Sequence, residues 1–397
     1  MDRLGTESAF AVLAQAQALE KTGRRVIHLE IGEPDFATPA HVVEAAKEGL
    51  EAGHTHYVPA PGTPRLRETV STFLERTGRL RTTPDRVVIT PGAKPVMFYT
   101  IMALCEEGDE VLFPDPGFPM YESIAGFAGA VPVSVPLRQE NEFRMDPEEV
   151  EGLVTPRTKL LVLNSPHNPC GSALTASDCE AIADIAVRHD LVVLSDEVYW
   201  AIRYDGKHAS VLDVDGMDQR TVLLDGWSKT FAMTGWRLGF GVFPPDLVEP
   251  VTRLVVNTVS CTSAFSQDAA RAALEGPWQP VEDMVAEFRA RRDVIVDGLG
   301  RIEGISCGTP RGAFYVFPDV RALGVPSSEL AARLLSEAGV ACLSGTAFGS
   351  AGEGYLRLSY ANSVENIKAA LQAIEDLVSN LGPHASRSAD WRVKAGT

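Results

Sequence analysis

One lysine in a charge-poor stretch is the residue best suited to covalent chemistry. The apolar run Val222-Leu223-Leu224 stops at Asp225-Gly226 and leads into Trp227-Ser228-Lys229-Thr230-Phe231-Ala232-Met233-Thr234-Gly235-Trp236-Arg237-Leu238-Gly239. A lysine held among Trp227, Phe231, Met233 and Trp236 is costly as a cation, because desolvation disfavours the ammonium and lowers its pKa. The neutral amine is a nucleophile able to form a Schiff base with a carbonyl. Taken alone, Ser228-Lys229 fits better a lysine whose stem lies on apolar surface and whose head reaches water.

Other groups of matching chemistry fall at element boundaries. Thr90-Pro91-Gly92-Ala93-Lys94-Pro95 follows a strand pattern and opens a helix, where backbone N–H groups bind phosphate and a glycine allows close approach. Ser195-Asp196-Glu197-Val198-Tyr199 sets Asp196 and Tyr199 three apart at a strand end, and in isolation these also read as a helix cap and a packed core ring. Arg357 interrupts the apolar strand Gly354–Ala361. A buried guanidinium needs an anion, either an internal carboxylate or a bound one.

In this order and on these elements, the segments resemble the class I/II pyridoxal-phosphate-dependent aminotransferases, the aspartate aminotransferase-like members of fold-type I. The resemblance implies that Lys229 carries pyridoxal 5'-phosphate as a Schiff base and that Arg237 grips its phosphate, with Gly92, Ala93 and Lys94 forming the phosphate cup. It implies that Asp196 holds the pyridine nitrogen protonated and that Tyr199 sits at the phenolic oxygen. Asn168, in Asn164-Ser165-Pro166-His167-Asn168-Pro169-Cys170-Gly171, bonds the same oxygen, and Phe118, in Asp115-Pro116-Gly117-Phe118, stacks on the ring. Arg357, Asn168 and Gly32 receive the substrate α-carboxylate, and Tyr57 reaches the phosphate of a neighbouring subunit, so a homodimer is expected. Two positions depart from the pattern: Cys170 replaces the usual threonine of the Asn-Pro-x-Gly turn, and Gly226 stands where many relatives have a phosphate-binding serine.

The elements that must position these residues follow from periodicity. Apolar runs at 87–89, 111–113, 131–135, 160–163, 191–194, 222–224 and 238–242 are mostly continuous, as strands covered on both faces should be. Amphipathic helices lie between them, for example 97–105 and 175–188. The alternation predicts a doubly wound α/β fold with a mostly parallel seven-stranded sheet, which binds ligands at the carboxyl ends of its strands. Thr38-Pro39 reads as the cap and first turn of a helix to Gly53, and a helix opens the chain at 8–21 before a strand at 26–31. From 281 a long helix, short strands at 313–317, 340–343 and 355–359, and helices at 327–337 and 364–381 form a smaller α/β domain. The resemblance adds residues 1–40 to that domain (1–40 and 281–397), leaving 41–280 as the large cofactor-binding domain. The polar tail 383–397, with Trp391, reads as an irregular extension.

Composition narrows the function classes. The 397 residues are 45% hydrophobic and 22% charged, and the net charge of −17 argues against nucleic-acid binding. No apolar run approaches the ~18 residues of a membrane span, and the N-terminus lacks a signal pattern. Six scattered cysteines without metal-ligand spacing point to reduced thiols in the cytoplasm and to no metal site.

The expected activity is transfer of an amino group between an L-amino acid and a 2-oxo acid. The same set of residues also serves β- or γ-elimination, replacement or cyclisation on this cofactor, and a cofactor-binding regulator without catalysis is a third reading. Phe10, Phe36, Phe98, Phe265 and the region of Cys261 are candidates for an apolar substrate pocket.

Overall fold

The computed structural model describes residues 4–381. Its strands in chain order are β1 Ile27–His28, β2 Val87–Thr90, β3 Glu110–Asp115, β4 Val131–Pro136, β5 Thr158–Asn164, β6 Val192–Asp196, β7 Thr221–Gly226 and β8 Gly239–Val242. They continue with β9 Tyr315–Val316, β10 Val340–Ala341, β11 Leu343–Ser344 and β12 Leu356–Ser359. Seven of these form the main sheet in the order β2-β8-β7-β6-β5-β3-β4. All its pairings are parallel except those of β8, which runs antiparallel to β2 and β7.

The continuous apolar runs are buried on both faces for a simple reason: successive side chains point to opposite sides of a strand. Leu160, Val162, Leu194, Val222 and Leu224 face one core, shared with Val96 and Val255 from the helices Lys94–Leu104 and Pro245–Thr258. Leu161, Leu163 and Val193 face another, with Ile182 and Ala186 of the helix Ala176–Arg188. That helix begins with a capping box, in which Thr175 and Asp178 each bond the other's backbone N–H. Only β4, at the sheet edge, is substantially exposed.

The chain ends meet in two small sheets. β1 pairs in parallel with β10, Ile27 opposite Val340, and β12 pairs antiparallel with both β11 and β9. Helices Gln279–Leu299 and Val364–Ser379 cover them through Phe288, Ile295, Leu299, Ile367 and Ile374. Phe288 is central: fully buried, it stacks on Phe314 at 5.1 Å and meets Phe36 edge-on at 5.2 Å.

Several local expectations are corrected. The strand expected over 26–31 contracts to Ile27–His28, because β10 offers only two partners. The strand expected over 340–343 divides between two sheets, as β10 and β11. Thr38 does not cap the helix Ala40–Glu51; its hydroxyl donates to the Ala232 carbonyl at 2.9 Å, and Pro39 takes the cap position. The Thr-Pro cap is realised instead at Thr63-Pro64, where Thr63 Oγ1 accepts from Leu66 N–H. The helix expected over 327–337 is α-helical only to Arg333 and closes with a wider turn, Leu334–Ala338, before Gly339. The tail at 383–397 lies outside the described residues. Among the described residues no helix is long and apolar enough to cross a membrane.

Replacing Phe288 with alanine removes its ring contacts with Phe36, Phe314 and Tyr360 and leaves a cavity where the N- and C-terminal segments join. The expected cost is ~3–5 kcal/mol, read as a lowered denaturant midpoint with the helical circular-dichroism signal retained before the transition.

Candidate active site

β5, β6 and β7 end side by side, with Asn164 opposite Asp196 and Asp196 opposite Leu224. A cavity of about 590 Å³ lies over these ends and extends to the N-terminal segment and β12. Its lining includes Gly32, Ala93, Lys94, Phe118, Asn168, Asp196, Tyr199, Lys229, Arg237 and Arg357. Of the sequence-predicted residues, Gly92 sits just behind the lining and Tyr57 lies outside it, 90% exposed.

Lys229 is delivered by the single helical turn Trp227–Thr230, which starts where β7 stops. Its ammonium donates to the Gly32 carbonyl and lies 6.0 Å from the Tyr199 ring and 5.8 Å from the Phe314 ring. The residue is part-buried, with its accessible portion facing the cavity. Burial pulls the Lys229 pKa down to about 8; Arg357, Lys94 and Arg237 push the same way and Glu33 opposes them. The source of this environment differs from the sequence expectation. Trp227, Phe231 and Met233 pack into a separate core with Phe240, Trp227 at 5.3 Å from it, and Trp236 donates to Thr38 at 3.0 Å. The rings over the amine come from remote segments instead.

Asp196 is buried at the carboxyl end of β6. Its Oδ2 accepts the Tyr121 hydroxyl at 2.6 Å, and among the described residues it has no ion-pair partner. Burial raises its pKa to about 7, against the lowering effect of Tyr121 and the Val198 N–H. A buried carboxylate without a cation suits a ligand that brings an N–H to it. Tyr199 bonds Tyr315, hydroxyl to hydroxyl, at 2.8 Å. Tyr121 and Tyr315 carried no signal of their own in the sequence: one lies three residues after Phe118, and the other lies in a short apolar run.

The phosphate-sized end of the cavity is built by close backbone approach. Gly92 has φ +93°, and a Cβ there would meet Arg237 Nη2 at 2.3 Å. On Gly239 a Cβ would strike the Ala93 nitrogen at 2.4 Å. The loop, the start of the helix Lys94–Leu104 and the Arg237 guanidinium therefore share one small space, the arrangement an anion requires. Lys94 lies over the Phe118 ring at 5.5 Å and is paired with Glu7. A Cβ on Gly226 would lie 3.0 Å from the Leu238 carbonyl oxygen and 3.1 Å from Gly239 Cα, a tight fit that a serine there would need the backbone to ease slightly, while Ser228 lines the cavity.

Arg357 is 4% exposed on β12, sandwiched between Tyr315 at 4.6 Å and Phe348 at 4.9 Å. It donates to Asn168 Oδ1 at 3.3 Å and to the Glu30 carbonyl, and its Nε has no partner. No salt bridge joins it to a carboxylate among the described residues, which leaves the bound-anion alternative. Burial lowers its pKa, and so favours an added anion.

These features fit pyridoxal phosphate: an amine for the aldehyde, an unpaired buried carboxylate for the ring nitrogen, and a glycine cradle with an arginine for the phosphate. Among the candidate pocket residues, Phe10 lines this cavity. Phe36, Phe265 and Cys261 line a second hollow of about 690 Å³ on the other side of Arg237. Phe98 instead packs against Tyr99 and Phe127, away from both.

Known proteins are similar to this chain along most of its length. A family model described as aminotransferase class I and II matches residues 24–374. An aspartate aminotransferase of Pyrococcus abyssi is 43% identical over 357 residues, covering 89% of this chain and 92% of that protein. An aromatic-amino-acid aminotransferase of Thermococcus litoralis is likewise 43% identical, with 89% and 92% covered. The solved aspartate aminotransferase from Thermus thermophilus with maleate superposes with a TM-score of 0.91 at 37% identity, covering 95% of this chain and 99% of that one.

The Lys229 amine makes a direct prediction. Reaction of cofactor-stripped protein with a small aldehyde should speed up with rising pH and level off above about 8, where the neutral amine saturates. Stopped-flow absorbance reads the rate, and an inflexion near the ordinary lysine value of ~10.4 would show a solvated amine instead.

Proposed function

The chain belongs to the class I and II aminotransferases, enzymes that move an amino group between an amino acid and a 2-oxo acid with pyridoxal 5'-phosphate, and we propose that Lys229 joins this cofactor as a Schiff base and moves the substrate proton. The observation that carries this reading is one cavity in which a depressed-pKa amine faces a buried carboxylate and two arginines that have no ion-pair partner among the described residues. When bound, the cofactor supplies a pyridine ring that draws off the electron pair left as the substrate Cα–H bond breaks.

The chain's own residues do the rest. Asp196, steadied by Tyr121, holds the ring nitrogen's proton, and an anion at that position keeps the ring electron-poor. Arg237 and the Gly92–Lys94 turn anchor the phosphate, Phe118 fixes the ring plane, and Asn168 and Tyr199 address the ring oxygen. Arg357 forks onto the substrate α-carboxylate beside Asn168 and the Gly32 backbone, which orients Cα–H toward Lys229. With its pKa near 8, the Lys229 amine is a base able to take that proton near neutral pH.

The same reading makes the enzyme a homodimer, with Tyr57 reaching the neighbouring subunit's phosphate; its 90% exposure supports this. It groups residues 41–280 as the cofactor-binding domain and 1–40 with 281–397 as the smaller one, consistent with the β1–β10 pairing. Six unpaired cysteines suit a reducing compartment, and we place the protein in the cytoplasm.

Supplied with pyridoxal phosphate, the protein should show a near-visible imine band that single L-amino acids bleach, with the matching 2-oxo acid found by mass spectrometry. Failure of every L-amino acid to do so would sink the reading. Lys229→Ala should lose the band and ~10²–10⁴-fold in rate. Arg357→Leu should keep the band but lower kcat/KM by ~10²-fold, because the substrate carboxylate loses its buried partner.

A further inference from the structure

A second set of buried charges lies on the opposite face of β6 and β7 from the cavity. Asp196 and Leu224 are partners in register and both line the cavity, so their neighbours Ser195 and Asp225 point away from it. Into that far side Arg79 inserts its guanidinium, from the turn after the helix Pro64–Arg76. Nη1 donates to Asp225 Oδ2 at 2.6 Å and Nη2 to Glu197 Oε2 at 2.8 Å, with the guanidinium 4.2 Å over the Trp200 ring. The three side chains are 6%, 3% and 2% exposed. Glu197 is further held by His208 at 2.9 Å, Ser195 at 2.9 Å and Ser210 at 2.5 Å, and Asp225 accepts its neighbour Gly226 N–H at 2.6 Å.

None of these side chains lines the cavity, yet they flank residues that do. Glu197 follows Asp196 in the chain, and Asp225 precedes the Gly226–Lys229 turn. Three carboxylates crowd two strand ends, and one arginine with one histidine faces them. Asp225 and Glu197 both push the Asp196 pKa upward, beneath the larger effect of burial. For Glu197 burial acts upward too, but His208 and Arg79 outweigh it and hold the carboxyl well below its usual range. An Asp196 that picked up a proton could no longer hold the proton of a ring nitrogen.

We propose that Arg79 is a positioning residue of the cofactor site: by clamping Glu197 and Asp225 it offsets the negative charge behind β6 and β7, and so leaves Asp196 as the anion that grips the cofactor's ring nitrogen. This rests on the assignment of Asp196 made above. The charged and titratable groups around Asp196 are then Glu197, Asp225, Arg79 and His208 on one side and Tyr121 and Tyr199 on the other.

The test is a charge cycle in the full-length protein, with pyridoxal 5'-phosphate as the probe. Arg79→Met should raise the cofactor's Kd about tenfold, the effect of a one-unit rise in the proton affinity of Asp196, and move the pH midpoint of the imine band upward. Asp225→Asn removes a charge that Arg79 offsets and should move the midpoint downward. The double variant R79M/D225N should return both readouts to near the wild-type values. Packing alone predicts otherwise: the double variant would then bind as weakly as R79M or more so, and that result overturns the proposal. An R79M protein with wild-type Kd and midpoint overturns it equally. If R79M does not fold by circular dichroism, Asp225→Asn decides, and an unmoved midpoint refutes the idea. Asp196→Asn separates the two levels: if it retains the cofactor like wild type, the Asp196 assignment falls, whereas a loss confined to D196N leaves that assignment and removes only Arg79.

Discussion

Holding a primary amine in partly dehydrated surroundings is the constraint on which the site depends. Lys229 leaves the end of β7 and is met by the Gly32 carbonyl, which belongs to the segment following β1. The contact therefore joins the main sheet to the segment that pairs with β10. Gly32 permits it because any side chain there would collide with the Tyr315 hydroxyl, 2.2 Å from where a Cβ would lie. Tyr315 in turn bonds Tyr199 and lies against Arg357. One amine, one glycine and one tyrosine thus set the distance between Lys229 and Arg357, the groups proposed to move the proton and to bind the carboxylate. Chemistry of this kind needs that distance to be fixed, since orientation is a large share of the rate.

Strand geometry divides the charges. Period-two alternation sends Asp196 toward the cavity and Ser195 and Asp225 away, so two strands carry a cavity-lining carboxylate on one face and a paired, hydrogen-bonded set on the other. Buried charges are tolerable only when compensated. The far-side carboxylates are compensated within the protein by Arg79 and His208. Asp196, Arg237 and Arg357 lack an ion-pair partner among the described residues. They suit the three charged parts of the cofactor–substrate pair: ring nitrogen, phosphate and α-carboxylate. Internal pairing and its lack separate scaffold from site in this protein.

Much of this was legible in the residues alone. Continuous apolar runs with intervening helices established the sheet, because a strand covered on both faces carries mostly apolar side chains. The segments from Gly32 to Arg357 pointed to the site, since each places one chemically demanding residue at an element boundary. Local rules failed where competing contacts won. Thr38 has the right company for a helix cap, but its hydroxyl is drawn to Ala232 from a distant segment. The apolar run 26–31 pairs only at Ile27 and His28, because a strand's length is set by its partner and not by its own apolarity.

By itself, the order of residue types determined which groups would be reactive: a lysine in an apolar stretch, an aspartate at a strand end, an arginine inside a strand. Those identities and the elements beneath them are local properties, carried by spacing of two or about four residues. What surrounds each group was decided only by tertiary structure. Trp227, Phe231 and Met233 flank Lys229 in the chain but turn into another core, and Tyr199, Phe314 and Gly32 come in their place. Tyr121 reaches Asp196 across 75 residues, and Arg79 reaches Asp225 across 146. The proton affinity of a side chain depends on the charges, dipoles and water within a few ångströms of it, and which groups those are is settled by strand register and loop closure over long stretches of chain.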